Sequence, residues 1–351
     1  MNLLLKLLFG GVFTLLCAAN GHGADAGPTE AEKVSAIQGV QTTGVTVSSS
    51  GRIFTNAPNW REGVPFAVAE VHPDTGEYRP YPDASMNRCV ANSKALDNCF
   101  LAVQSVVADG GRLYVLDTRN PRFRGVIDAP RIFVFDLSSN KLERVLLLSD
   151  AAFHPDSYIN DLRIDKSASR IYMTDSNHPG LVIYNLANGE SYRALNNHKS
   201  TRAERDHLVI DGKPWRNTVH SDGIALDRKN QVLYFHALTG YTLYAIDTRY
   251  LEPGRDAAEH VRKVATTSAP DGMILDQRGN LYFADLENHK VLYRDPKGET
   301  HVLVQGDKVR WADSFSIHDG MLYYTNSHIN EAKGPIDDME FEIYRVPLPG
   351  R

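Results

Sequence analysis

Six residues are placed to do chemistry in this chain: Thr43, Gln104, Asn160, Asp222, Asp271 and Ser314. Each stands at the mouth of a short apolar segment, and each can form hydrogen bonds although the positions after it are hydrophobic. Polar atoms at the edge of a core need a protein partner, a water or a ligand. Two of the six are carboxylates, which repel when brought together unless a proton or a cation lies between them. Asp222 and Asp271 are therefore the candidate catalytic pair. With Asn160 they are also a candidate ligand set for a divalent, Ca2+-like cation. Thr43, Gln104, Asn160 with its neighbour Asp161, and Ser314 are candidate ligand-binding residues. His220-Ser221-Asp222 resembles a hydrolytic triad only in writing, because adjacent residues of a strand point to opposite faces.

These residues must be positioned by a repeat. Apolar anchors at Ile53, Leu113, Ile171, Leu233, Leu281 and Leu322 follow turn signals, at spacings of 60, 58, 62, 48 and 41 residues. An apolar strand precedes each anchor (45–47, 106–108, 162–164, 224–226, 273–275 and 315–317), and a strand rich in β-branched and aromatic residues follows it. With a looser fourth strand, each unit is an antiparallel meander. Six meanders at this period predict an all-β chain: a six-bladed β-propeller of four-stranded antiparallel blades. The last unit runs out after its third strand. The segment near Val34–Val40 is expected to supply the missing outer strand and close the ring. The six polar residues would then converge at one end of the central channel.

A second ring is expected around them. In an antiparallel meander the second strand exits at the edge where the first begins. These exits carry His178, His289 and His328 as further candidate ligand-binding residues, while the exit Asp residues suit turn caps.

The 351-residue chain has a net charge of −5 and no basic stripe, which argues against nucleic acid as a partner. Residues 1–24 read as a signal peptide cleaved near 19–26, with Lys6 before an apolar run too short to span a bilayer. The remainder, 25–351, reads as one propeller domain without a membrane span, secreted or periplasmic. Its two cysteines, Cys89 and Cys99, are expected to pair in an oxidising compartment, and closing so short a loop contributes roughly 2–3 kcal/mol. Insertions at 74–103 and 195–220 interrupt the repeat, each either a lid or a surface loop.

Gln104–Asp109 running into Arg112–Asp117, Tyr158–Leu162, Ser221–Leu226, Leu233–Leu238 and Trp311-Ala312-Asp313-Ser314 resemble, in order, the Yellow/major royal jelly protein family. The likeness covers about residues 40–348. It implies a secreted six-bladed propeller, in a family with bacterial members whose activities include dopachrome conversion and the binding of small amines. A more distant likeness is to the senescence-marker/gluconolactonase propellers, which hold a divalent cation. There Asp271 matches a metal-binding Asp, Asn160 a substrate-side Asn, and Asp222 the position of a metal-binding Asn. Thr43-Gly44 stands where that family has a Glu.

Three functions follow as expectations. The first is binding of a small polar or aromatic molecule at the channel mouth, with a tautomerase-like proton shift using Asp222 or Asp271. The second is cation-dependent lactone hydrolysis. The third is a non-enzymatic scaffold whose face contacts another macromolecule. Oligomeric state is not legible.

Overall fold

A computed structural model describes residues 29–89 and 98–350; the leader lies outside them. Six four-stranded antiparallel sheets form the blades of a propeller. Their inner strands are Gly44–Val47, Val103–Asp109, Ile159–Asp165, Ser221–Asp227, Met273–Leu275 and Ala312–His318. Each inner strand contacts the next, and the sixth returns to the first, so the ring is closed.

The blades hold together by burying apolar side chains between them, not within them. Tyr114, Leu116 and Ile132 of the second blade pack with Leu162, Ile164 and Ile171 of the third. Phe54 and Val68 meet Leu113 and Phe133 at the preceding junction. Central strands are consequently buried along their whole length, as in Ile53–Asn56 and Leu281–Asp285. Burying a Leu, Ile or Phe side chain contributes about 1.5–3 kcal/mol.

The closing strand is found as expected. Glu32–Gln38 pairs antiparallel with Glu340–Pro347 and completes the sixth blade. Arg345 pairs with Glu32 at 2.8 Å and Lys33 with Glu340 at 3.0 Å across this seam. These pairs are exposed, so the ladder and the packing of Ile343 and Tyr344 carry the closure.

One irregularity recurs. Pairing of the inner strand with its neighbour shifts register between Val103 and Ser105, Ile159 and Leu162, Ser221 and Ile224, and Ala312 and Phe315. These are β-bulges, in which an extra residue leaves the ladder and its side chain is re-aimed. Gln104, Asn160, Asp161, Asp222, Asp313 and Ser314 all sit in them. In the fifth blade Asp271 and Gly272 lie just before the strand begins.

Two glycines set how tightly the bulges pack. A Cβ at Gly223 would lie 2.8 Å from the Asp271 carbonyl oxygen, and one at Gly272 would lie 2.7 Å from that of Asp313. Only glycine permits this backbone approach. The fourth, fifth and sixth blades are thereby drawn together where Asp222, Asp271 and Asp313 project.

Candidate active site: a buried carboxylate cluster in the channel

Asp222 and Asp271 are almost fully buried, 4% and 7% exposed. Their carboxyls lie within hydrogen-bonding reach of each other. Burial pushes the Asp222 carboxyl well above the usual range, and the charges of Asp271, Asp313 and Asp161 push it further. Burial raises Asp271 to about 7, against the lowering effect of hydrogen bonds from Trp311 and Asp222. The pair therefore shares a proton between Asp222 and Asp271, and Asp271 Oδ2 also accepts from the Trp311 indole N–H at 2.6 Å.

Asp313 is the third member. Burial and the neighbouring Asp271 charge hold its carboxyl well above the usual range. The expected column took Ser314 for this blade; the bulge turns Asp313 toward the carboxylates and leaves Ser314 on the wall of a cavity at the other end of the channel. Simple alternation along a strand cannot resolve which residue of a bulge points where. Asp313 was legible in the Trp-Ala-Asp-Ser motif and still fell outside the column.

The neutral side of the site is a hydrogen-bonded chain. Trp60 Nε1 donates to the Tyr158 hydroxyl at 2.6 Å, Tyr158 donates to Gln104 Oε1 at 2.7 Å, and Gln104 Nε2 donates to Asn160 Oδ1 at 2.8 Å. Phe123 stacks on Tyr158 at 4.6 Å and on Trp60 at 6.0 Å. Burial pushes the Tyr158 hydroxyl well above its ordinary value, so it stays protonated and serves as a fixed donor. Sequence reasoning missed Trp60, Tyr158 and Trp311 as site residues, because their roles arise from contacts between blades.

The remaining expected residues have other partners. Thr43 is fully buried, and its hydroxyl accepts from Asn56 Nδ2 at 3.1 Å. Asp161 accepts from Ser105 Oγ at 2.8 Å and pairs with Arg163 at 2.8 Å. His178 faces Asp156, His289 Nε2 donates to Asp211, and His328 lies between Glu331 and Glu342. None of these histidine bonds reaches the carboxylate cluster. The exit acids do cap loops: Asp117 accepts from the Leu101 and Ala102 amides, and Asp175 from Ser157 Oγ and the Tyr158 amide.

The two insertions differ in reach. The first packs Tyr81 and Phe100 into the core between the first two blades and carries a disulfide, Cys89–Cys99, with a Cα separation of 5.2 Å. The second folds the hairpin of His207–Ile210 and Lys213–Arg216, whose Trp215 meets Trp311 edge-on at 4.8 Å. It thus backs the indole that holds Asp271.

Among the described residues, Asp295, Glu299 and His301, on an outer turn of the fifth blade, bring one possible ligand atom each within 4.8 Å of one another. No helix among the described residues is long and apolar enough to cross a membrane.

Comparisons agree with this architecture. The chain is 26% identical to protein yellow of Drosophila guanche over 252 residues, 65% of this chain and 41% of that protein. Protein yellow of Drosophila melanogaster is 25% identical over 252 residues, 65% of this chain and 43% of that protein. The chain thus spans less than half the length of these curated relatives. Among solved structures, a luciferin-regenerating enzyme is similar with a TM-score of 0.59 and 14% identity, over 92% of this chain and 96% of that one. A gluconolactonase from Xanthomonas campestris follows at 0.57 and 15%, over 93% and 92%. A calcium-binding regucalcin from Agrobacterium tumefaciens stands at 0.54 and 12%, over 92% and 96%. At such identities the likeness is one of fold. Residues 102–341 match the family described as major royal jelly protein, and the chain belongs to that family.

Proposed function

We propose that this protein is exported, binds a small polar or aromatic molecule at the carboxylate end of the channel, and moves a proton on it in a tautomerase-type isomerisation. The observation that carries this reading is the proton-sharing pair of Asp222 and Asp271. A general base works best when its pKa lies near the operating pH, and burial raises Asp271 to about 7. Asp271 is the base, Asp222 holds the exchangeable proton, and Asn160, held by Gln104, orients the ligand. The Trp311 indole stabilises the ionised form of Asp271 between proton transfers. The Cys89–Cys99 bridge supports export, since such bonds persist in oxidising compartments.

The test is loss of dopachrome absorbance with purified mature protein, across pH 5–9. The expected rate rises through a single step near pH 7 and falls by about 100-fold in Asp271→Asn, the ordinary loss for a removed general base. Circular dichroism checks that the variant is folded. No rate above the spontaneous background, together with no binding from a panel of catechols and aromatic amines, would refute the reading. Saturable binding without turnover would retain the ligand site and refute the catalysis.

A further inference from the structure

The channel has a second compartment. On the side where the inner strands turn back, a cavity of about 830 Å³ is walled by all six blades. Its lining is mixed: Val107, Leu226 and Ile274 give it an apolar strip, set among polar residues such as Thr46, Gln277 and Ser316. Asp161, Arg163 and Ser314 line its inner part.

Arg163 separates this compartment from the carboxylate cluster. It belongs to the inner strand of the third blade, yet its Nη2 donates to the Met273 carbonyl of the fifth at 2.6 Å. Its guanidinium therefore crosses the channel. Nη1 donates to the Leu162 carbonyl at 2.6 Å and pairs with Asp161 at 2.8 Å, while Nε is buried without an acceptor. A buried N–H left unpaired is costly, so a group that accepts from it would be stabilised.

The other acids of the wall accept from neutral donors on their own turns. Asp276 is taken up by the Arg278 amide, Asn280 and Tyr282. Asp227 accepts from the Asn230 amide and side chain. At the rim Lys229 and Arg278 are exposed and favour the approach of an anion, while Arg228 is paired with Asp109 at 2.8 Å.

We propose that this compartment is a second binding site, for a small molecule with one carboxylate and an apolar body, anchored by Arg163. The carboxylate takes up the guanidinium in place of Asp161, and the apolar body lies along the walls. Guanidinium and carboxylate match as a two-point fork, which the internal Asp161 now occupies in part. The site is separate from the Asp222–Asp271 pair, and its test is a binding measurement, so either proposal can fail alone.

The probe is benzoate, titrated calorimetrically into the mature protein, with uncharged benzamide as the control. Benzoate is expected to saturate one site and benzamide to bind at least about tenfold more weakly, a ratio of one charge-assisted pair. Asp161→Asn keeps the oxygen that accepts from Ser105 and removes the competing charge, so it should tighten benzoate about tenfold. Ile274→Trp fills the cavity without touching a charge and should abolish binding. Equal binding of benzamide, an unchanged or weaker affinity in Asp161→Asn, or no benzoate binding in either protein would overturn the proposal. Binding that survives Ile274→Trp but disappears in Asp271→Asn would place the ligand at the carboxylate cluster and overturn it as well.

Discussion

Replacing Asp271 by Asn tests the central electrostatic claim without any knowledge of a ligand. A carboxyl whose pKa rises from 3.8 to about 7 on folding is a cost to the folded state once the pH exceeds 3.8. Below that value the folded and unfolded chains bind the same proton, and the full stability is present. As the pH rises toward 7 the unfolded chain releases the proton and the folded chain retains it, so stability falls; beyond 7 the loss is constant. At 1.36 kcal/mol per pH unit the interval of about 3 units amounts to about 4 kcal/mol. Asn is isosteric, stays neutral at every pH, and its oxygen can still accept from Trp311 Nε1. At about 2.1 cal/mol/K per residue, a chain of this size gains about 1.5 °C for each kcal/mol. Asp271→Asn should therefore melt about 6 °C higher than the wild type at pH 8.5 and at the same temperature at pH 4. Calorimetry at four or five pH values reads this directly. A variant that melts lower at pH 8.5, or a difference that does not depend on pH, would refute the shared-proton description.

His236 should produce the opposite slope. It is 1% exposed and bonded to Thr267, and burial lowers its pKa to about 4 from 6.5. Its contribution is present above pH 6.5 and lost as the pH falls toward 4, about 3 kcal/mol in all. His236→Gln should lower the urea midpoint at pH 7.5, and its difference from the wild type should shrink as the pH falls from 6.5 to 4.5; a difference that does not depend on pH would assign the effect elsewhere. Deleting residues 29–39 removes the strand that closes the sixth blade and bares the Glu340–Pro347 edge. The deletion should lower the melting temperature by more than about 10 °C, the equivalent of several buried side chains, and an unchanged value would show that closure does not depend on this strand.

The fold was legible because it is written six times. Each copy pairs an apolar inner strand with a turn and a buried second strand, and the copies check one another. The missing sixth outer strand was also legible, from a meander that stops at Pro347 and an unassigned strand near Val34. The site was half legible. Gln104, Asn160, Asp222 and Asp271 stand out because each interrupts an apolar run, and the structure gathers them. Asp313 was hidden by one position, because a bulge suspends the alternation by which strand residues are read. Arg163 sits between Leu162 and Ile164, and nothing local shows that its side chain reaches a carbonyl two blades away. Trp60, Tyr158 and Trp311 lie on loops and strand ends whose partners are about 40 to 98 residues distant in sequence. The exit histidines are a different case: their carboxylate neighbours arise from loops whose course no repeat dictates.

The seam between Glu32–Gln38 and Glu340–Pro347 also has a consequence in time. Arg345 and Glu32 stand 313 positions apart, so the Glu32–Gln38 strand must wait for Glu340–Pro347 before it can pair. Five blades can assemble as they emerge, each against its predecessor. The sixth stays a three-stranded sheet with a bare edge until the two termini meet. During that interval the channel is an open arc, although the fourth and fifth blades, and with them Asp222 and Asp271, already pack against each other. The carboxylate pair can therefore form before the ring is closed, and any factor that holds the Glu32–Gln38 strand away delays closure alone.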